Sequence, residues 1–214
     1  MDKTKLALHV FDSCAKGYQD KFMFQPQYYS SFDFFCNAVK MQQASLLELG
    51  CGPGNITRYL IEKRPDFKIL GTDLAPNMVD LARVNNPAAE FKLMDCRDLL
   101  KLNKKWDAIV CGFCLPYLDK EEAIRLIQDI SAALNPGGIL YLSTMEDSYS
   151  KSGMKSSSDG AYECFIHYHE GIYLQQALEE AGFKILLMER VDYTDHLGVV
   201  TKDLLIVASL NVLT

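Results

Sequence analysis

Between residues 45 and 144 the chain alternates short apolar runs with longer amphipathic segments. Each apolar run is too short for a buried helix and is bounded by Gly, Asp or Pro, as strands commonly are. The five runs are SLLELG, FKILGTD, AEFKLMD, WDAIVCG and GILYLST. Strands that alternate with helices form βαβ units around a parallel sheet. The pattern therefore predicts a doubly wound, Rossmann-like α/β domain.

Three segments between these strands have helical spacing and are predicted as helices over residues 55–63, 76–84 and 120–134. Pro76 suits the first turn of the second helix, because a residue there needs no free N–H. The sequence Asn-Pro-Gly-Gly at 135–138 is a stop signal after the third helix.

The last quarter of the chain predicts a different arrangement. The runs ILLMERVDYTD and DLLIVASL follow each other without room for a crossover helix, so we expect an antiparallel pair that completes a mostly parallel seven-stranded sheet. Residues 172–181 have the pattern of a helix that ends at Gly182. Residues 146–160 are rich in Ser and Gly and are predicted to be a mobile loop.

The N-terminal segment, residues 4–42, has amphipathic helical patterning and many aromatic residues. We expect it to form a helical cap outside the sheet. One domain is predicted, with a cap over 1–44, a core over 45–144, a loop or lid over 145–171, and a helix and strand pair over 172–214.

Composition narrows the possible partners. The formal net charge of −6 does not suit binding to nucleic-acid phosphates, which requires a surplus of Lys and Arg. No apolar run approaches the roughly 20 residues that span a bilayer, and the N-terminus lacks the pattern of a signal peptide. We therefore expect a cytoplasmic protein with no membrane span.

Seven cysteines lie singly in apolar segments, as reduced, packed cysteines do. Cys111 and Cys114 form one CxxC pair. This pair could serve redox or metal chemistry, but the sequence offers no second Cys or His pair at ligand spacing, so packing is the favoured interpretation and no metal is predicted.

The glycine-rich stretch LLELGCGPGNIT places Glu48, Gly50, Gly52 and Gly54 at every second position, from the end of the first strand to the start of a helix. Glycines permit positive φ and close approach of a ligand to the backbone, and the start of a helix offers free N–H groups. In a doubly wound sheet this turn lies at the carboxyl ends of the strands, where ligands bind.

Dinucleotide-binding folds carry G-x-G-x-x-G at the same place, but here Asn55 occupies the position of the third glycine. The pattern E-x-G-x-G-x-G instead resembles the class I S-adenosylmethionine-dependent methyltransferases, and the resemblance covers residues 45–144 by motif. It implies the Rossmann-like fold of that family, S-adenosylmethionine as the cofactor, and transfer of its methyl group.

The resemblance assigns roles to residues at the next two strand ends. Asp73 in ILGTDLAPNMVDLAR would accept both ribose hydroxyls, as an ionised carboxylate can, and Leu74 and Met78 would line the adenine side. Asp95 in FKLMDCRDL would accept the adenine amino group, with the N–H of Cys96 at a ring nitrogen. Either aspartate alone could be an ordinary strand-end or capping carboxylate, but their order after the glycine turn favours a shared site.

By the same resemblance, the carbonyl of Gly50 would meet the ammonium of the cofactor, with Glu48 organising the turn behind it. Cys111 and Gly112 would flank the methionine portion. The predicted cofactor site is completed by Cys51, Gly52 and Gly54.

The segment VFDSCAKGYQDKF resembles one that precedes the core in small-molecule members of the family, including the quinone-biosynthesis type. Tyr18 takes the tyrosine position, whereas Gln19 stands where that pattern has Asp. Tyr18 either reaches the cofactor or the substrate, or packs the cap on the sheet.

His167 and His169 lie in FIHYHEGIYLQQALEEAGF, which resembles the family segment before the sixth strand. On an extended segment they share a face, and a His titrating near neutrality could act as a general base. Together with Tyr18 they are the candidates for a catalytic role, although surface or core positions are the alternative for both histidines.

The predicted function is methyl transfer by in-line displacement to an O, N or C atom of a small-molecule acceptor, with no covalent enzyme intermediate. The aromatic cap suits an apolar acceptor, or it simply seals the core. Two further hypotheses are a non-catalytic module that binds S-adenosylmethionine and a nicotinamide-dependent oxidoreductase. The acceptor's identity and the oligomeric state are not readable from the sequence.

Overall fold

The fold is described from a computed structural model, in which residues 3–156, 160, 162–194, 198 and 200–212 are described. The helices are α1 (Lys3–Phe22), α2 (Tyr29–Ala38), α3 (Asn55–Lys63), α4 (Pro76–Asn85), α5 (Lys120–Ala133) and α6 (Gly171–Glu180). The strands are β1 (Ser45–Leu49), β2 (Lys68–Asp73), β3 (Glu90–Leu93), β4 (Trp106–Gly112), β5 (Leu134–Glu146), β6 (Gly153–Ser156), β7 (Glu163–Ile166), β8 (Phe183–Thr194) and β9 (Val200–Leu210). Short 3₁₀ segments cover Pro26–Tyr28, Cys96–Leu102, Leu115–Tyr117 and Tyr149–Lys151.

Seven strands form the main sheet in the order β3-β2-β1-β4-β5-β9-β8. The first five run parallel to one another, and β9 is antiparallel to both of its neighbours, β5 and β8. The predicted doubly wound, mostly parallel seven-stranded sheet with an antiparallel last strand is therefore confirmed. The chain reverses direction across the sheet between β1 and β4, so the ligand crevice of such a fold lies at the tips of these strands.

Both faces of the sheet are covered because successive side chains of each buried strand point to opposite sides. In β4, Ile109 belongs to the apolar layer that packs under α5 and α6, while Ala108 and Val110 belong to the layer under α2 and α3. In β9, Ile206 and Val207 divide in the same way. This two-sided core holds the strand tips in a fixed plane.

The predicted N-terminal cap consists of two helices with different positions. Helix α1 lies across the tips of the strands and contacts α4, β7 and the Leu115–Tyr117 segment. Helix α2 instead packs on the face of the sheet, where Phe32 and Phe35 are buried against Tyr141 of β5. The aromatic residues of this region therefore serve both a lid and the core.

The predicted helices over 55–63, 76–84, 120–134 and 172–181 all form, with ends that differ by at most one residue from the expectation. The Asn-Pro-Gly-Gly stop ends α5 at Ala133, but β5 starts at once. Leu134 pairs with Trp106, and the register shifts before Ile139 pairs with Ala108. The Asn-Pro-Gly-Gly sequence is typical of a turn, so it does not reveal that β5 already pairs with β4 at Leu134, before the bulge.

The loop predicted over 146–160 is wrong at residues 153–156. Residues Gly153–Ser156 form β6, which pairs antiparallel with β7 in a separate two-stranded sheet. The pairing partner, Glu163–Ile166, lies downstream, so the Ser-rich composition alone could not reveal it. Residues 157–159 of the predicted loop lie outside the described residues.

Within the described part of the chain, none of the helices combines the length and the apolar character needed to cross a membrane.

Candidate functional site

A cleft of about 150 Å³ lies at the carboxyl ends of β1 to β4 and beneath α1. Its lining comes from the glycine turn, the ends of β2 and β4, the segment after β3, and the inner side of α1. The lining residues are Thr4, Ala7, Leu8, Phe11, Tyr18, Gly50, Gly52, Asp73, Leu74, Ala75, Met78, Met94, Asp95, Cys96, Arg97, Gly112, Phe113, Cys114, Tyr117 and Leu118.

The glycine turn has the left-handed backbone that its composition predicts. The φ angles of Gly50, Gly52 and Gly54 are +64°, +53° and +82°. A Cβ on Gly50 would collide with the sulfur of Cys114, whereas a Cβ on Gly52 would stand 3.8 Å from the ring of Tyr18, on the side of the cleft. The turn therefore presents bare backbone to the cleft, and a side chain at any of its three glycines would be strained.

Asp73, at the end of β2, is fixed by main-chain donors. The N–H of Gly52 donates to its Oδ2 at 2.8 Å, and the N–H of Ala75 donates to its Oδ1 at 2.9 Å. Burial raises the pKa of the Asp73 carboxyl above its ordinary value, and these two hydrogen bonds limit the rise. One carboxylate thus joins the glycine turn to the start of α4 and retains acceptor capacity for a ligand.

Asp95, after β3, is fixed by a side chain that follows it closely. The guanidinium of Arg97 donates to Asp95 Oδ1 at 3.0 Å and to Oδ2 at 2.6 Å. Burial acts to raise the pKa of Asp95, but the hydrogen bonds and the charge of Arg97 outweigh it and the pKa is lowered. Asp95 is therefore an ionised, acceptor-only group at neutral pH.

Glu48 lies beneath the glycine turn rather than in the cleft and is 1% exposed. The hydroxyl of Thr57 donates to its Oε2, while Oε1 is buried with no hydrogen-bond partner among the described residues. Burial is the main cause that raises the pKa of Glu48 to about 8. A neutral Glu48 under the turn is the form that the surroundings favour near pH 7.

Nine of the sequence-predicted positions come together around this one cleft: Tyr18, Gly50, Gly52, Asp73, Leu74, Met78, Asp95, Cys96 and Gly112. Four predicted positions do not line it: Glu48, Cys51, Gly54 and Cys111. Cys51 packs with Val79 and Phe91, and Cys111 is fully buried between β1 and β5. Cys51 and Cys111 each neighbour a lining glycine and face the opposite side of the turn or strand, so they support the cleft from behind.

On its outer side the cleft is closed by rings of α1 and of the turn after β4. Phe11 packs edge-on against Tyr117 and Tyr18, with centroids 4.9 Å and 5.8 Å apart. Burial is the main cause that raises the pKa of the Tyr18 hydroxyl, so this hydroxyl stays protonated near neutrality. The outer side is therefore an apolar, aromatic wall.

His167 and His169 lie outside the cleft, behind the Leu115–Tyr117 turn. The Nε2 of His169 lies 2.8 Å from the carbonyl of Leu115, and its Nδ1 faces the hydroxyl of Tyr173. The backbone N–H of His167 donates to the Pro116 carbonyl at 2.8 Å. Burial lowers the pKa of both imidazoles, that of His169 to about 4. The backbone of His167 and the ring of His169 thus support a turn that carries lining residues, and His169 has both nitrogens occupied.

Several lining residues were not predicted from the sequence, among them Leu8, Phe11, Arg97, Phe113 and Tyr117. Arg97 had a visible signal, since a cation two residues after Asp95 can pair with it. Phe113 has a φ of +54° and donates its N–H to Ser143, a conformation that no sequence pattern indicates. The described part of the chain contains no group of three His, Cys, Asp or Glu side chains placed to hold a metal ion.

The family follows from a comparison with known domains. Residues 24–187, more than half of the chain, match the family model described as a methyltransferase domain. The chain belongs to the class I S-adenosylmethionine-dependent methyltransferases. S-adenosylmethionine is accordingly the cofactor of its family, and the nicotinamide-dependent oxidoreductase hypothesis is set aside.

Curated relatives of the family differ in acceptor. A trans-aconitate 2-methyltransferase of Variovorax paradoxus is 36% identical over 101 residues, which cover 47% of this chain and 38% of that protein. A tRNA N(3)-methylcytidine methyltransferase of Schizosaccharomyces pombe is 22% identical over 76% of this chain and 73% of that protein. The chain spans half or less of the length of the first curated relatives it matches, with shares of 43%, 38% and 50%.

Solved structures share the fold over nearly the whole chain. The magnesium protoporphyrin IX methyltransferase from Synechocystis PCC 6803 with bound S-adenosylmethionine has a TM-score of 0.69 and 15% identity, covering 99% of this chain and 98% of that chain. A structure described as the [4+2]-cyclase SpnF has a TM-score of 0.65 and 19% identity, covering 86% and 81%. The fold is thus shared with a protein described by another reaction, and acceptor chemistry has to be argued from the site.

Proposed function

We propose that this chain transfers the methyl group of S-adenosylmethionine to a small, uncharged acceptor that is largely apolar. The observation that supports this most directly is the convergence of Gly50, Gly52, Asp73 and Asp95 on one cleft. Membership of the methyltransferase family supplies the reaction class, and the cleft supplies the argument about the acceptor.

The cleft's polar groups suit the cofactor part by part. Asp73 offers acceptor oxygens for two ribose hydroxyls, and Asp95 offers one for the adenine amino group. Leu74 and Met78 provide apolar surface for the base, and bare backbone at Gly52 leaves room for the methionine portion. The cleft therefore offers hydrogen-bond acceptors to the hydroxyl and amino donors of the cofactor, and apolar side chains to its adenine ring.

The position of α1 over the cleft bears on how the cofactor enters. The enclosed volume of about 150 Å³ is below the roughly 300 Å³ at which small-molecule pockets begin. Helix α1 belongs to no sheet and is held by side-chain contacts, such as Phe11 against Tyr117 and the hydrogen bonds between Asp12 and Asn77. We propose that α1 opens to admit the cofactor and then closes over it.

The cofactor supplies an electrophilic methyl group, so the chain's own contribution is to position the acceptor and to exclude water. Gly112 and Phe113 lie at the tip of β4, and Tyr18 faces them from α1 as part of the same lining. Among the described lining residues the only carboxylates are Asp73 and Asp95, which we assign to the cofactor. We propose that no side chain of the cleft acts as a general base and that an acceptor with a proton on the reacting atom gives it to water.

The acceptor class follows from charge. Among the described lining residues Arg97 is the only cation, and Asp95 and Glu122 both pair with it. A tricarboxylate such as trans-aconitate would find no free positive partner there. The net charge of −6 likewise does not suit a tRNA backbone. An uncharged, flat or aliphatic molecule, as in the quinone-biosynthesis members that the Tyr18 segment resembles, suits the aromatic wall.

The test is methyl transfer from labelled S-adenosylmethionine to a panel of phenols, quinols, amines, carboxylic acids and total tRNA. Label on an uncharged acceptor, and none on carboxylates or tRNA, is the expected result. Label on tRNA or on a polycarboxylate would contradict the proposed acceptor class. Tight binding of S-adenosylhomocysteine with no transfer to any acceptor would favour the non-catalytic module.

A further inference from the structure

Arg97 carries a set of contacts that the proposed function leaves unexplained. It begins the 3₁₀ segment after β3 together with Cys96 and lines the cleft. Its backbone N–H donates to Asp95 Oδ1 at 2.9 Å, and its Nε donates to Oδ1 at 3.0 Å and to Oδ2 at 3.2 Å. Its Nη2 donates to Oδ2 at 2.6 Å. One residue thus holds both oxygens of Asp95.

These bonds nearly exhaust the acceptor capacity of Asp95. An ionised carboxylate has about four lone-pair positions. The backbone N–H and Nε of Arg97 occupy Oδ1, while Oδ2 takes the short bond from Nη2 and the longer contact of Nε. The Cys96 side chain also hydrogen-bonds to the carboxylate, so at most about one acceptor position remains for a donor in the cleft.

The guanidinium is itself fixed from the other side. Nη1 of Arg97 donates to Glu122 Oε1 at 2.6 Å. Glu122 also closes the capping box of α5, since its Oε2 accepts the N–H of Asp119 at 3.0 Å and its own N–H donates to Asp119 at 2.9 Å. A helix start therefore sets the orientation of Arg97, and Arg97 sets the orientation of Asp95.

We infer that Arg97 is a positioning residue that keeps Asp95 a hydrogen-bond acceptor and thereby makes the cleft select adenine over hypoxanthine. The inference rests on the proposed function, in which Asp95 meets the base of the cofactor. The amino group of adenine donates a hydrogen bond, whereas hypoxanthine has a carbonyl at that position and can only accept. An acceptor-only carboxylate leaves that carbonyl unpaired and repels it.

Loss of Arg97 should weaken the selection through the ionisation of Asp95. The groups that face this carboxyl are Arg97 and Cys96 on its own segment, with Glu122 of α5 behind the guanidinium. Without Arg97, burial is the main remaining influence and raises the pKa of Asp95. A protonated Asp95 can donate to the hypoxanthine carbonyl, so the selection should fall, and fall further at low pH.

The experiment measures dissociation constants of S-adenosylhomocysteine and S-inosylhomocysteine for the full chain at about pH 5.5 and about pH 8. We expect the native chain to prefer the adenosyl compound by about two orders of magnitude at both pH values. Arg97→Met should lower this preference at least about tenfold, more at the lower pH. Arg97→Lys keeps the positive charge but cannot bind both oxygens of Asp95 as the guanidinium does. It should lower the preference for the adenosyl compound about threefold at both pH values. The control is Arg58→Met, which breaks an exposed ion pair with Glu62 and should leave the preference for the adenosyl compound unchanged.

An unchanged preference in Arg97→Met at both pH values would overturn the inference. If that variant does not fold, as judged by circular dichroism, an unchanged preference in folded Arg97→Lys overturns it equally. A native chain that binds neither compound would overturn the proposed function instead, so the two failures are distinguishable.

Discussion

The two sides of the cleft are built in different ways. The floor, made of Gly50, Gly52, Asp73 and Asp95, belongs to strand tips whose strands are paired on both sides or packed in a two-sided core. The wall, made of the inner face of α1, is held by side-chain contacts such as those of Phe11. Backbone hydrogen bonds restrain the floor, whereas the inner face of α1 is restrained by ring contacts, and its hydrogen bonds, from Asn77 to Asp12 and from Asn85 to Gln19, lie on the side of α4.

This difference indicates that the floor and the wall contribute differently to ligand binding. Directional hydrogen bonds at the floor can specify a ligand atom by atom, because each donor or acceptor has a fixed position. Apolar contacts at the wall are non-directional and tolerate displacement. We therefore expect substitutions in the floor to change cofactor affinity or stability strongly and substitutions in the wall to change them little.

The largest effect is expected for Asp73→Ala. This change removes the proposed acceptor of two ribose hydroxyls and the partner of the Gly52 and Ala75 N–H groups. Affinity for S-adenosylhomocysteine should fall about tenfold to a hundredfold, measured by calorimetry. Asp80→Ala, at an exposed pair on α4, is the control and should bind as the native chain does. Unchanged affinity in Asp73→Ala would refute the ribose assignment.

The next prediction compares a Gly→Ala substitution in the glycine turn with one in α1. Gly50→Ala places a Cβ at a φ of +64° and against the sulfur of Cys114, so it should destabilise the fold by at least about 1 to 2 kcal/mol. Gly17→Ala in α1 meets no atom within 4 Å and removes a helix-interior glycine, so it should stabilise by up to about 1 kcal/mol. Urea unfolding measures both. Equal changes in the free energy of unfolding at the two sites would contradict the proposed difference between floor and wall.

A smaller effect concerns pH. The folded pKa of Glu48, about 8, lies above its ordinary 4.5, so the folded state binds this proton more tightly than the unfolded state does. Stability should therefore fall as pH rises from about 6.5 to about 8. Below that window His169, with a pKa lowered to about 4, acts in the opposite direction, since the unfolded state binds its proton more tightly. Urea unfolding across the window should show a shallower decline in Glu48→Gln than in the exposed Glu62→Gln; equal slopes would contradict the assignment.

The smallest effect is expected for Tyr18→Phe. The ring contacts with Phe11 and Phe22 remain, and only the hydroxyl is lost. Affinity for S-adenosylhomocysteine should change by less than about threefold. A tenfold loss would show that the Tyr18 hydroxyl binds the ligand directly and that the wall is as specific as the floor.

The floor was predictable from sequence because its residues recur at short, fixed spacing. Gly50 and Gly52 need positive φ, and Asp73 ends a strand, so each is visible locally. Of the wall, Tyr18 was predicted but Phe11 was not, because Phe11 meets Tyr117, a residue far away in the sequence. The His167 and His169 candidates illustrate the same limit. Their residue type suggested a base, but their burial and their contacts with the Leu115–Tyr117 turn are properties of the tertiary structure.

The strand pairing followed the same rule. Alternation and turn residues predicted the parallel strands and the final antiparallel pair, because local apolar patterning encodes them. The β6 ladder and the early start of β5 depend on partners that lie elsewhere in the chain, Glu163–Ile166 and Trp106. Arg97 was partly predictable. Its pairing with Asp95, two residues away, is a local feature of the sequence, whereas its contact with Glu122 depends on the tertiary structure.

A crystal structure of the full chain with S-adenosylhomocysteine tests the central claim most directly. The ribose hydroxyls should lie on Asp73, the adenine amino group on Asp95, and α1 should stand further from the strand tips than it does here. A ligand bound in another cavity, or a floor still covered by the side chains of α1 at saturating ligand, would contradict the account.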